Sequence, residues 1–202
     1  MTVGRVARAS SDGRLLRSEH SKQRIADALY ELIGEGELAP SAQRVADRAV
    51  VGIRTVFRLF SDMDALYATI NARLSLDVAP MLRSGPSEGA SLDERLESLL
   101  AARVALYERF GPYVRATHRH RDRSEFLAAQ FRKLVLTLRE RLFHWMPELC
   151  RAPDDLVEAL DQATSFEAWD RLRLDQQLSR PRARAAMQRA MRALADQLED
   201  ES

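Results

Sequence analysis

An all-α fold follows from three observations on this 202-residue chain. Apolar residues recur at helical spacing along most of it, turn formers are few (eight Gly and seven Pro), and β-branched runs bounded by turn signals are scarce. Hydrophobic residues make up 46% and charged residues 30%, a balance that supplies a core and excludes a disordered polymer. At roughly 150 residues per domain the length allows one domain, or a small one joined to a larger, and is too short for a multi-module enzyme.

The first element is expected to be a basic tail, residues 1–17. It mixes Arg5, Arg8, Arg14 and Arg17 with Ser and Gly and has no apolar period. Ser18 is a candidate N-cap for a helix whose face is Ile25, Ala28, Leu29, Leu32 and Ile33, ended by Gly34 and Gly36. Two brief helices follow. One starts at Ser41 behind Pro40 and presents Val45, Ala46 and Ala49; the other follows Gly52 and presents Val56, Leu59 and Phe60. Isolated helices below about 12 residues are marginal in water, so the two must pack on each other and on the first.

Ser61, with Asp64 at the capping-box position, opens a longer helix with the stripe Met63, Leu66, Ile70 and Leu74, fading near Pro80. Residues 83–90 read as a loop, and Ser91 with Glu94 caps the next helix, which presents Leu92, Leu96, Leu99 and Leu100. Gly111 and Pro112 are expected to break it, leaving a short helix from Pro112 to about His120. Beyond Ser124, the residues Leu127, Phe131, Leu134, Leu138, Leu142 and Trp145 form a stripe up to Pro147. Two helices remain: one from Pro153 through Leu156, Leu160, Ala163, Phe166 and Trp169, and one after Ser179 with Ala183, Met187, Ala190, Met191, Leu194 and Leu198.

The net charge of +1 hides an asymmetry. Residues 1–60 hold ten basic and seven acidic side chains, and the remainder holds 21 and 23. Lys22 and Lys133 are the sole lysines, so the basic charge is nearly all guanidinium, which forks onto phosphates and base edges; genome composition accounts for an Arg excess equally well. Cys150 stands alone and cannot form an internal disulfide. No apolar stretch approaches the ~18 residues of a membrane span, and the first twenty residues lack the apolar region of a secretory signal. A cytoplasmic protein is expected.

Residues 45–59 carry the chemistry. Val45, Ala46, Ala49, Val51, Val56 and Leu59 put apolar groups where a helix-turn-helix needs them, with a small Ala at the helix crossing. Arg54, Thr55 and Arg58 are left to face outward, where Arg can fork onto guanine and Thr can meet a thymine methyl or a phosphate; Arg44 or Arg48 can hold the DNA backbone. An ordinary surface helix bearing arginines has the same spacing.

The segment VADRAVVGIRTVFRLFSDMDALYATI resembles the DNA-binding domain of the TetR family of transcriptional regulators. The shared features are Val45-Ala46, Ala49, Thr55-Val56-Phe57, Phe60 and Asp64-Ala65-Leu66, and they cover about residues 20–72; the segment from Ser165 to Ser179 is similar to a late helix and turn of the family. The chain departs from the pattern at Val50, where the family has Gly; at Ile53, Arg54 and Phe57, where it has Lys, Gly and Tyr; and at Met63, where it has a phosphate-binding Lys. A β-branched residue at positive φ in the turn costs about 1–2 kcal/mol, and Gly52 is the alternative place for the bend.

The resemblance implies a DNA-binding domain over residues 18–62 and a helical regulatory and dimerisation domain over 63–202. Arg54, Thr55 and Arg58 would touch DNA, with Gln43, Arg44 and Phe57 behind them and Ser41 adding a phosphate contact through its helix end. The partners implied are a palindromic double-stranded DNA operator, a second copy of the chain paired through the last two helices, and a small-molecule effector that releases a repressor. Ala183, Ala186, Met187, Ala190 and Met191 form a small-residue and Met face suited to close helix packing, or alternatively to an internal core. Candidate effector contacts are Tyr107, Phe110, Tyr113, His118, Trp145, Phe166 and Trp169, for each of which core packing is the commoner role.

Enzymatic signals are poor. His118 and His120 lie two apart, a spacing that does not aim both rings at one metal from a helix, and no G-x-S-x-G, P-loop or dinucleotide fingerprint occurs. No catalytic residue, metal or cofactor is expected. The competing class is a helical ligand-binding or adaptor protein that has lost sequence-specific DNA binding, for which Ile53, Phe57 and Met63 are the support.

Overall fold

The computed structural model describes the backbone of residues 4–200 and the side chains of residues 16–198. Among the described residues the chain is all-α, with no strand. The helices are α1 (Gly4–Gly34), α2 (Ala42–Ala49), α3 (Ile53–Leu59), α4 (Met63–Leu82), α5 (Leu92–His120), α6 (Glu125–Trp145), α7 (Asp154–Ala163), α8 (Phe166–Asp170) and α9 (Arg180–Asp200). Short 3₁₀ turns at Arg121–Arg123 and Pro147–Cys150 and a π turn at Arg171–Asp175 interrupt them. The chain divides into two compact units, one of Met1–Ser75 with Pro112–Ala129 and one of Leu76–Gly111 with Gln130–Ser202.

In the first unit, Ile25, Ala28, Leu29, Leu32 and Ile33 of α1 are buried, as are Val45, Ala46 and Ala49 of α2, Val56 of α3 and Phe60 behind it. The unit runs past the expected boundary at residue 62 because α4 adds buried Leu66, Tyr67 and Ile70, while Tyr113 and Ala116 return from late in the sequence. Polar ties match this packing: the Tyr113 hydroxyl donates to the Tyr30 carbonyl at 3.1 Å, and the Ser124 hydroxyl donates to Asp64 at 2.8 Å. A Cβ at Gly34 would lie 2.9 Å from the Tyr113 hydroxyl oxygen, so a larger residue there would have to displace that hydroxyl.

The second unit buries Leu96, Leu99, Leu100 and Val104 of α5, Leu138, Leu142 and Trp145 of α6, Leu156, Val157 and Leu160 of α7, Phe166 and Trp169 of α8, and Ala183, Met187, Met191 and Ala195 of α9. Of the expected stripes, Leu92, Phe131, Leu134, Ala163 and Leu194 are only half-buried and Ala190 is exposed, while Val104, Val157 and Ala195 are buried beyond them.

Five boundaries differ from expectation. Residues 4–17, expected as a tail, are helical, and Ser18 lies inside α1 instead of capping it; residues 1–3 lie outside the described residues. Once Ile25–Ile33 are packed, each upstream residue adds a backbone hydrogen bond without a new nucleus. The cap of α4 is Asp62, which accepts from the Ala65 N–H at 2.8 Å, and neither Ser61 nor Asp64 fills that place. The helix also passes Pro80 and ends at Leu82. Pro112 sits within a continuous α5, because buried Phe110, Tyr113 and Ala116 on both sides outweigh the lost hydrogen bond. The expected helix from Pro153 to Trp169 is two helices. Ser165 accepts from the Ala168 N–H at 3.1 Å and so caps α8, while the Thr164 hydroxyl turns back to the Leu160 carbonyl at 3.0 Å.

Candidate nucleic-acid interface

The α2–turn–α3 pair is built from its caps inward. The Ser41 hydroxyl accepts from the Arg44 N–H at 3.1 Å and starts α2, whose Val45 and Ala46 are wholly buried. Val50 ends it with φ 54° and ψ 49°, in the left-handed region. The Val51 N–H then reaches the Ala46 carbonyl at 3.0 Å and the Val50 N–H reaches the Asp47 carbonyl at 3.1 Å, a Schellman closure. Gly52 keeps an ordinary φ of −70°, so the bend falls on Val50 and not on the glycine. The Arg24 guanidinium of α1 holds the turn from outside, donating to the carbonyls of Ala49 and, at 3.2 Å, Val50.

This fixed turn sets which side chains of α3 face out. Arg54, Phe57 and Arg58 are exposed, Phe57 to 55%, while Thr55 is half-buried and its N–H closes onto the Gly52 carbonyl at 2.8 Å. Among the described residues no hydrogen bond or ion pair engages Arg54 or Arg58. Free guanidinium groups on a short, well-held helix can fork onto base edges or phosphates without first breaking an internal pair.

The flanking residues of α2 are differently placed. Gln43 is exposed and donates to Asp47 at 2.7 Å, and the Arg44 Nε donates to Glu37 at 3.1 Å from a half-exposed position. Arg48, an expected backbone contact, instead makes a two-pronged pair with Glu35 at 2.8 and 2.6 Å, joining α2 to the end of α1. The pair holds the Glu35 carboxyl below its usual range and pushes the Arg48 guanidinium up. A paired Arg must give up that carboxylate to bind phosphate, so Arg48 acts as a staple here.

The seven candidate effector contacts are divided between the two units. Tyr107, Phe110, Trp145, Phe166 and Trp169 are buried in the second unit, whereas Tyr113 and His118 belong to the first. The Tyr107 hydroxyl donates to the Thr164 carbonyl at 2.8 Å and its ring meets Phe166 edge-on at 5.5 Å, so its polar handle closes the break between α7 and α8. Of the seven, Trp145 alone lines the small cavity beside α5 and α6. The expected α9 face also splits: Ala183, Met187 and Met191 are buried within the chain's own unit, while Ala186 and Ala190 are exposed.

Two functional-looking arginines escaped the sequence reading. Arg24 sits on the polar side of α1, and nothing in its spacing points to residues 49 and 50. Arg103 had a legible signal, since it lies four residues after Leu99 on the buried face of α5 and is 3% exposed.

The fold is shared with a solved structure. The chain is similar to the crystal structure of a transcriptional regulator from Rhodococcus sp. Rha1, with a TM-score of 0.65 and 21% identity over 87% of this chain and 96% of that one. No protein-family model and no curated protein matches the chain. The similarity shows a shared all-α architecture over nearly the whole of both chains. No helix among the described residues is long and apolar enough to cross a membrane.

Proposed function

We propose that the chain is a DNA-binding transcriptional regulator of the TetR type, a repressor that works as a homodimer on a palindromic operator and is released by a small-molecule effector. The observation that carries this reading is the pair Arg54 and Arg58, exposed and unengaged on a helix whose base, Val56, is buried at 2% exposure. Thr55 lies between them, and Gln43, Arg44, Phe57 and the Ser41 end of α2 flank them. The fold shared with a solved regulator supports it further.

In the dimer, the two copies of α3 would sit about 34 Å apart, one turn of duplex, so that both enter the major groove on one side. The effector would bind the conformation in which that separation is wrong and shift the population away from DNA. No catalytic role is proposed, and a cytoplasmic location accords with this function.

Binding to the DNA upstream of the chain's own gene tests the reading. Affinity should fall steeply as salt rises, because phosphate contacts release counterions. Arg54→Ala should lose about 1–3 kcal/mol and relax base preference at one operator position. Salt-insensitive or absent binding by the intact dimer would favour the adaptor alternative, to which the exposed Phe57 also gives some support.

A further inference from the structure

Of the seven residues of α3, Arg54, Phe57 and Arg58 are exposed. They stand at i, i+3 and i+4, so one face of the helix carries all three. Ile53, Thr55 and Leu59 are half-buried and Val56 is buried, which leaves an outward face made of two guanidinium groups with a phenyl ring beside them. The ring is 55% exposed and, among the described residues, makes no aromatic or cation–π contact. Val56 on the opposite side is packed inside at 2% exposure, so rolling α3 to hide the ring would expose it.

Two unpaired guanidinium groups draw this face onto a polyanion, and the ring is carried into contact with them. A phenyl ring has no hydrogen-bonding atom, so it can pair with neither a phosphate oxygen nor the polar edge of a base. Among the polar atoms that base pairs present in the major groove, the 5-methyl of thymine is the apolar group. Covering that methyl removes apolar surface from water on both sides, a gain the other three bases do not offer. Side chains three or four residues apart on a helix stand roughly 5–6 Å from one another, and base pairs rise by about 3.4 Å. The ring therefore falls one or two base pairs from a base held by Arg54 or Arg58. Thr55, assigned a thymine methyl or a phosphate on sequence grounds, is half-buried, and the exposed Phe57 is better placed for the methyl.

We propose that Phe57 is the thymine-reading residue of the interface: its ring covers the 5-methyl group of one thymine in each operator half-site, one or two base pairs from the base held by Arg54 or Arg58. This deepens the regulator reading above and rests on it for the DNA itself.

The test uses a duplex selected from a random-sequence DNA library by the full-length protein. Each thymine of the half-site is replaced in turn by uracil, which removes the methyl and keeps the base-pair hydrogen bonds. Affinities are measured by fluorescence anisotropy at one fixed salt concentration. At one thymine per half-site the replacement is expected to weaken wild-type binding about fourfold, and about fifteenfold when both half-sites carry it, the effect of one buried methyl at each. Phe57→Ala should bind the thymine and uracil duplexes equally, with its salt dependence unchanged because no phosphate contact is lost. Phe57→Gln, which keeps the reach and removes the apolar ring, should also lose the methyl preference and serves if the Ala variant does not fold. A selected half-site without thymine, uracil replacements that are all silent, or a methyl effect that persists undiminished in both variants overturns the proposal and leaves the regulator reading standing. Failure of the protein to select any duplex removes both.

Discussion

Val50 bears a local cost that its surroundings do not repay through its own side chain. It holds φ 54° while 78% exposed, so its branched Cβ meets the left-handed penalty with no packing in return. What keeps the turn is the backbone closure onto Ala46 and Asp47 and the grip of Arg24 on the last carbonyls of α2. Val50→Gly should therefore stabilise the protein by about 1 kcal/mol in urea unfolding, the relief of strain exceeding the added chain entropy. Arg24→Ala should destabilise it by about 1–2 kcal/mol, and no change would mean that the closure suffices alone.

A second residue-scale effect depends on pH. The Arg95 guanidinium donates to Glu148 at 2.9 Å and holds its carboxyl below the usual 4.5. A carboxylate depressed in the folded state contributes stability that is complete above 4.5 and is lost as the pH falls through the lower folded value. Glu148→Gln should thus be less stable at neutral pH and show a shallower loss on acidification below about pH 4.5, measured by denaturant titration across that range. A parallel acid profile for wild type and variant would show that the pair contributes little.

At the scale of elements, the break between α7 and α8 is held from a third helix. Tyr107 on α5 accepts from Arg103 and donates to the Thr164 carbonyl, which the interrupted helix leaves open. Tyr107→Phe keeps the ring contact with Phe166 and removes only the hydroxyl. It is expected to cost about 1–3 kcal/mol by chemical denaturation, since a buried carbonyl and a buried guanidinium nitrogen both lose a partner. A neutral outcome would mean that water replaces the hydroxyl. Pro112 makes the same point from the other side: a helix breaker is overruled where apolar neighbours on both flanks are buried.

For the whole molecule, the proposed dimer makes a direct demand on α9. With Ala183, Met187 and Met191 turned inward, the face left outside carries Ala186, Ala190 and Ala193, small side chains that permit close helix approach. Ala190→Arg should convert the dimer to a monomer in sedimentation velocity at micromolar concentration, with the helical circular dichroism unchanged. A dimer that survives this substitution would place the interface elsewhere.

Much of the fold and part of the candidate interface were legible in the residues themselves. The stripe of α1, the Ser41 cap, the buried Ala46 and Ala49 and the outward Arg54 and Arg58 follow from a period of 3.6 and from hydroxyl caps, both of which act over one or two turns. The fate of Pro112, the split at Thr164 and Ser165, and the helix upstream of Ser18 were not, because each is a contest between a local preference and packing supplied by distant residues. The same holds for Arg48, whose spacing allows a phosphate contact but whose neighbour in space is Glu35.

By itself, then, the amino-acid order determined an all-helical chain with a basic, capped pair of short helices near its start, since helical period and capping are local properties. Only the tertiary structure decided that Val50 and not Gly52 makes the turn and that Arg24 secures it, because each of these depends on side chains that sequence separates and packing brings together.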